Sequence, residues 1–158
     1  RRRLVVTTRG WMVERFRGGF PATIDDKGRV KLPARLLEQL AEGYGREVYV
    51  CSFFPHELRI YPLPVWEVYE ERLLAKPNTK AVLKLKERVG YGQLVEVDDH
   101  GRLLVPALLR EMVDFGGEVV ISGRINYLAI TRRDRAAAIL KETSLADEEL
   151  EELAQLEL

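Results

Sequence analysis

Apolar and polar positions along this 158-residue chain run through the same series of patterns twice. "TIDDKGRVKL", Thr23 to Leu32, sets apolar or β-branched residues on both sides of a polar turn, Asp25 to Gly28. That arrangement predicts a β-hairpin. Asp at the first turn position can accept hydrogen bonds from the backbone further on, and Gly at the fourth can take positive φ. "VEVDDHGRLLVP", Val95 to Pro106, repeats the pattern, so that Asp98 and Gly101 take the turn-shaping places of Asp25 and Gly28. Both copies share D-D-x-G-R-x-x-x-P-A-x-L at an offset of 73 residues. Such a repeat has to be settled before finer reading.

The segments after the two hairpins are also alike. Pro33 and Pro106 are read as first-turn residues of helices. "PARLLEQLAE" places Leu36, Leu37 and Leu40 on one side, and "PALLREMVDF" does so with Leu108, Leu109 and Met112. Gly43 and Gly116 are expected to end these helices. Two strands are then predicted in each half, "REVYVCSF" with "ELRIYPL" and "EVVISGR" with "YLAITRR". "PVWEVYEERLLA" reads as an amphipathic helix with Trp66, Tyr69 and Leu73 on one face, stopped by Pro77; "NTKAVLKLKERVG" restarts one towards the second half. The tail, from Ser144, has Leu145, Leu150, Leu153 and Leu156 near helical spacing, with Ser144 or Asp147 available as a cap. The resulting division is an extension over 1–15, a first half-motif over 16–62, a helical linker over 63–92, a second half-motif over 93–135 and a helical tail over 136–158. One half would cover its own core poorly, whereas two can each cover the other's apolar face and complete one barrel.

Composition narrows the function. With 46% apolar and 32% charged residues the chain reads as soluble and globular, and no run approaches the roughly 18 apolar residues of a membrane span. "LVV" near the basic N-terminus is too short for a signal-peptide core. The lone Cys51 excludes an internal disulfide, fits a reducing compartment, and lies in an alternating apolar segment expected to be core. With only His56 and His100 beside it, no conventional zinc site is available. Net charge is zero but polarised: Met12 to Arg35 carries six basic and three acidic residues, and Leu145 to Leu158 six acidic and no basic ones. The acidic tail reads as a solvated face or one that meets a basic neighbour.

The arginine after each turn glycine, Arg29 and Arg102, needs its own account. One reading is a good turn whose Arg pairs with its Asp. The other is a guanidinium held beside a hairpin tip, where its fork matches phosphate or the guanine edge. Lys27, Lys31 and Arg35 add charge around the first tip; His100 and Leu104 replace Lys27 and Lys31 around the second, which weakens it.

The paired D-x-x-G-R motifs, "FRGG" before the first and "YPLPVWE" between them resemble the MraZ family of bacterial transcriptional regulators, from about Met12 to the C-terminus. The resemblance implies an α+β fold, a tandem duplicated AbrB-like swapped-hairpin β-barrel with flanking helices. It implies a cytoplasmic, nucleoid-associated DNA-binding regulator, a ring-shaped homo-oligomer on promoter direct repeats of the division and cell-wall gene cluster, most simply a repressor. Catalysis, cofactor and metal are not expected. On this reading Arg29 and Arg102 reach DNA, Lys27, Lys31 and Arg35 hold phosphates, and Asp25, Gly28, Asp98 and Gly101 shape the tips. Residues 1–11 and His100 depart from the family pattern. Two rivals stand beside it: a metal-dependent enzyme using Asp25, Asp26, Asp98 and Asp99, and an antitoxin-like, partner-binding protein on the same fold.

Overall fold

The computed structural model describes residues 5–7, 10–12 and 15–158, so much of the extension expected over 1–15 lies outside the described residues. Two short strands, β1 (Val5–Thr7) and β2 (Gly10–Met12), pair with each other. The first half then runs β3 (Gly19–Ile24), β4 (Arg29–Lys31), α1 (Ala34–Gly43), β5 (Glu47–Cys51), β6 (Glu57–Pro62). Helices α2 (Leu63–Leu74) and α3 (Lys80–Val89) lead to β7 (Gln93–Glu96), β8 (Arg102–Leu104), α4 (Ala107–Val113), β9 (Gly117–Gly123) and β10 (Leu128–Arg132). Two helices, α5 (Arg133–Glu142) and α6 (Asp147–Gln155), finish the chain.

Eight strands form one antiparallel sheet in the order β7-β5-β6-β10-β9-β3-β4-β8. Its end strands, β7 and β8, are the arms of the second hairpin, joined across the turn by Asp98 N donating to Arg102 O at 3.0 Å, so the sheet curls into a nearly closed barrel. The hairpins are exchanged. The first lays β3 along β9 of the other half, and the second lays β7 along β5 of the first half. Pairing at the exchange is reciprocal: Val30 faces Leu103, its own repeat equivalent, and Ile60 and Leu58 face Leu128 and Ile130. Leu32 N donates to Gly101 O at 2.9 Å, and Val105 N to Gly28 O at 2.8 Å. The expected tandem swapped-hairpin barrel is the observed fold.

Its core comes equally from both halves, because alternate strand residues point inward. Val30, Leu36, Leu40 and Ile60 meet Leu103, Leu109, Val113 and Ile130, all buried. A second cluster joins the linker to the barrel: Trp66 of α2 stacks on Tyr49 with ring centroids 4.5 Å apart, and Tyr61, Tyr69 and Phe53 surround it. Tyr49 Oη donates to Val89 O at 2.7 Å and Arg88 Nη2 to Ser52 Oγ at 2.8 Å, which fixes α3. Arg59 lies 4.0 Å from the Phe53 ring centroid and 4.7 Å from that of Tyr127, its Nε donating to Glu57 at 2.9 Å. Thr79 caps α3 through its Oγ1, which accepts from Val82 N.

Four local expectations need correction. On α4 the core face is Leu109 and Val113, while Leu108 and Met112 are 46% and 39% exposed. That helix ends at Val113, where Asp114 takes a left-handed φ of 53° and Gly116 does not serve as the stop; α1 does end at Gly43, with Gly45 as the left-handed residue. Pro33 and Pro106 are N-cap residues, one place before the first helical turn. Finally, α6 is capped by Ala146, whose N–H donates to Glu149, rather than by Ser144 or Asp147. Cys51 is buried, as expected, and burial pushes its thiol up to about 12. Among the described residues, no helix is long and apolar enough to cross a membrane.

Candidate nucleic-acid interface

Each turn is built by one aspartate. Asp25 Oδ1 accepts from Lys27 N at 3.0 Å and Arg29 N at 2.9 Å, while Oδ2 accepts from Arg29 Nε at 2.9 Å. Asp98 repeats the set with His100 N at 2.9 Å, Arg102 N at 2.8 Å and Arg102 Nε at 3.1 Å. Gly28 and Gly101 close the turns at φ 87° and 76°, where a side chain would be strained. Backbone hydrogen bonds from Arg29 and Arg102, with the guanidinium contact, hold both carboxyls below the ordinary aspartate value.

Turn chemistry therefore does ask for an arginine after the glycine, and the Asp–Arg pairing weighed in the sequence is present. The pairing uses only Nε. The terminal nitrogens of Arg29 and Arg102 have no acceptor among the described residues, and the side chains are 40% and 42% exposed. A guanidinium anchored at one edge keeps a fork free, with less rotamer freedom left to lose on meeting an oxyanion.

The strand pairing gathers these groups. Val30 and Leu103 point into the core, so Arg29, Lys31, Arg102 and Leu104 share the outer face of β4 and β8. Lys31 stands opposite Arg102 and Arg29 opposite Leu104. Arg29 and Arg102 lie on the diagonal, about 7–8 Å apart. Three of the four outward positions are cationic. Lys27 is exposed on the first turn and Arg35 is exposed on α1. Asp26 and Asp99 are exposed beside them, and among the described residues no three His, Cys, Asp or Glu side chains gather as a metal-holding group.

One neighbour of the first turn comes from outside both motifs. A Cβ built on Gly28 would stand 2.6 Å from Cζ and Nε of Arg110, which belongs to α4 of the other half. At Gly101 the equivalent neighbour is Leu37. The repeat offset already equates Leu37 with Arg110, but only the hairpin exchange brings each against the other half's turn. The second turn has its own extra tie, Arg46 Nη1 donating to Asp98 O at 2.8 Å.

Residues 16–89 match a family model described as "MraZ protein, putative antitoxin-like". A "Transcriptional regulator MraZ" of Acidobacterium capsulatum is 37% identical over 145 residues, covering 90% of this chain and 99% of the relative. The chain belongs to the MraZ family. The MraZ relative of Koribacter versatilis is 35% identical, covering 89% of this chain and 98% of its own length. That of Escherichia coli O127:H6 is 35% identical over 115 residues, covering 70% and 75%. MraZ proteins carry the name of transcriptional regulators, not of enzymes.

Proposed function

We propose that the chain is a sequence-specific regulator of transcription that binds double-stranded DNA through its two hairpin tips. The observation that carries this reading is the outward patch of Arg29, Lys31 and Arg102, two of whose guanidiniums are aligned by their own turns. Lys27 and Arg35 add phosphate contacts that position the protein, while the arginine forks address phosphate or base edges. The half-motifs over 16–62 and 93–135, joined by 63–92, act as one binding unit. A single chain offers a small basic surface, so a ring of chains on promoter direct repeats would raise affinity through effective concentration. In this reading the protein is a cytoplasmic, nucleoid-associated repressor of the division and cell-wall gene cluster.

The test is fluorescence anisotropy with the duplex upstream of the protein's own gene at two salt concentrations. Wild type binds tightly and with steep salt dependence. Arg29→Ala loses specific binding, a loss of about 1.5–3 kcal/mol for one charge-assisted contact, with the oligomer intact. Arg102→Ala loses less, because His100 and Leu108 stand where the first tip has Lys27 and Arg35, although Lys31 faces Arg102 across the strands. Binding unchanged in both variants removes the tips from the interface. An intact oligomer that ignores DNA favours the antitoxin-like reading, which the "antitoxin-like" wording of the matching family model also supports.

A further inference from the structure

The two turns present the same cradle to different side chains. Arg110 lies against Gly28, its Nη2 2.8 Å from where a Cβ would stand, and its Nε donates to Val105 O at 3.2 Å. Val105 N in turn donates to Gly28 O, so turn, strand and arginine form one linked unit across the exchange. Leu37 fills the corresponding place at Gly101, with Cδ2 2.5 Å from the Cβ position. Covering a glycine face is a task for hydrocarbon, and Leu37 does it without desolvating charge. Arg110 instead brings a partly exposed guanidinium that has no carboxylate within ion-pairing distance among the described residues. Lys27 and Arg29 flank the same glycine in the chain, Arg29 already paired with Asp25, and Arg110 borders a surface cavity together with Glu111 and Asp114 without an ion pair to either. A guanidinium held at the tip by one edge, with no carboxylate of its own, leaves its remaining N–H groups available to an oxyanion.

We propose that Arg110 is a DNA-contacting residue of the first tip, a phosphate anchor supplied by the second half to the turn of the first. The inference rests on the DNA-binding reading and adds to it a residue outside both D-x-x-G-R motifs. It makes the first tip the stronger anchor through one more guanidinium, supplied by α4, while the glycine of the second tip is covered by Leu37.

The test uses the full chain and a fluorescein-labelled duplex from upstream of its own gene, beside a shuffled duplex of equal length, titrated across a series of KCl concentrations. Arg110→Leu mimics the other turn and removes the charge together with the Nε bond to Val105 O. It is expected to weaken binding about tenfold on both duplexes and to shallow the log–log salt slope by roughly one unit, with the melting temperature kept or raised. Arg110→Lys keeps the slope. Arg110→Gln, which retains a polar stem, serves if the leucine variant folds poorly, and is expected to show the same loss. Wild-type slope and affinity in the leucine or glutamine variant overturn the assignment and leave Arg110 as packing. A loss confined to the specific duplex also overturns it, since a phosphate anchor acts on any sequence. Wild type that binds neither duplex sinks the DNA-binding reading itself.

Discussion

The turn at Asp25–Arg29 and the turn at Asp98–Arg102 carry matching hydrogen bonds, from the same carboxylate oxygens to the same backbone and side-chain positions. Around that shared frame the chemistry diverges. Lys27, Lys31, Arg35 and Arg110 stand around the first turn or in its half-site positions, where the second has His100, Leu104, Leu108 and Leu37. Inside, the halves remain alike: Leu36 and Leu109 occupy equivalent buried places, as do Leu40 and Val113. The difference teaches that the barrel needs both copies of the frame, whereas nothing in its packing requires both outer surfaces to stay the same. Symmetry is kept where burial enforces it and lost where solvent permits.

The comparison can be broken most severely in the core. Leu36→Ala and Leu109→Ala should each cost about 2–5 kcal/mol and agree within about 1 kcal/mol, read as urea midpoints at constant slope. A large disagreement would mean that the halves are not energetic equivalents. At the turns, Gly28→Val and Gly101→Val should each destabilise by about 1–3 kcal/mol, since both put a β-branched residue at positive φ. Gly101→Val should be the worse. Its new Cβ meets Leu37, which is packed on the core, whereas at Gly28 it meets the flexible end of Arg110. Equal melting temperatures for the two would show that Leu37 moves aside as readily as the arginine.

The smallest effect sharpens the shared frame. Asp25 and Asp98 are held below the ordinary aspartate value, so their turns gain stability above the usual carboxylate range and lose it as pH falls through the lowered values. Both carboxyls are solvent-facing, so the gain is minor. Carbon-detected NMR titration should find both aspartates titrating below about 3.8. Asp98 at its ordinary value would mean that the second turn is looser than the first.

Much of this is legible in the residues. The duplicated D-x-x-G-R with flanking alternation locates both hairpins, and the proline after each marks a helix start to within one residue. The inward phase of α4 is not legible locally. "ALLREMV" offers two sets at helical spacing, Leu108 with Met112 and Leu109 with Val113, and nothing within the segment chooses between them. Aligning the repeats does decide it, because Leu109 and Val113 fall on Leu36 and Leu40. The Arg110 contact is invisible for another reason. Nothing local links α4 to a turn 82 positions earlier in the sequence; the link exists only because hairpins change partners.

That exchange also sets a timetable. Strand β3 finds its partner β9 only when Ile24 meets Gly117, 93 residues later. A chain emerging from the ribosome therefore carries its first hairpin unpaired until most of the second half has been made. Closure of so long a loop comes before the contacts that reward it, and chains of this topology fold slowly for that reason. Until then the apolar side of the first hairpin is exposed to every neighbouring chain with a matching edge. The pause is built into the order in which the repeats are written, and any change that delays synthesis of the second half lengthens it.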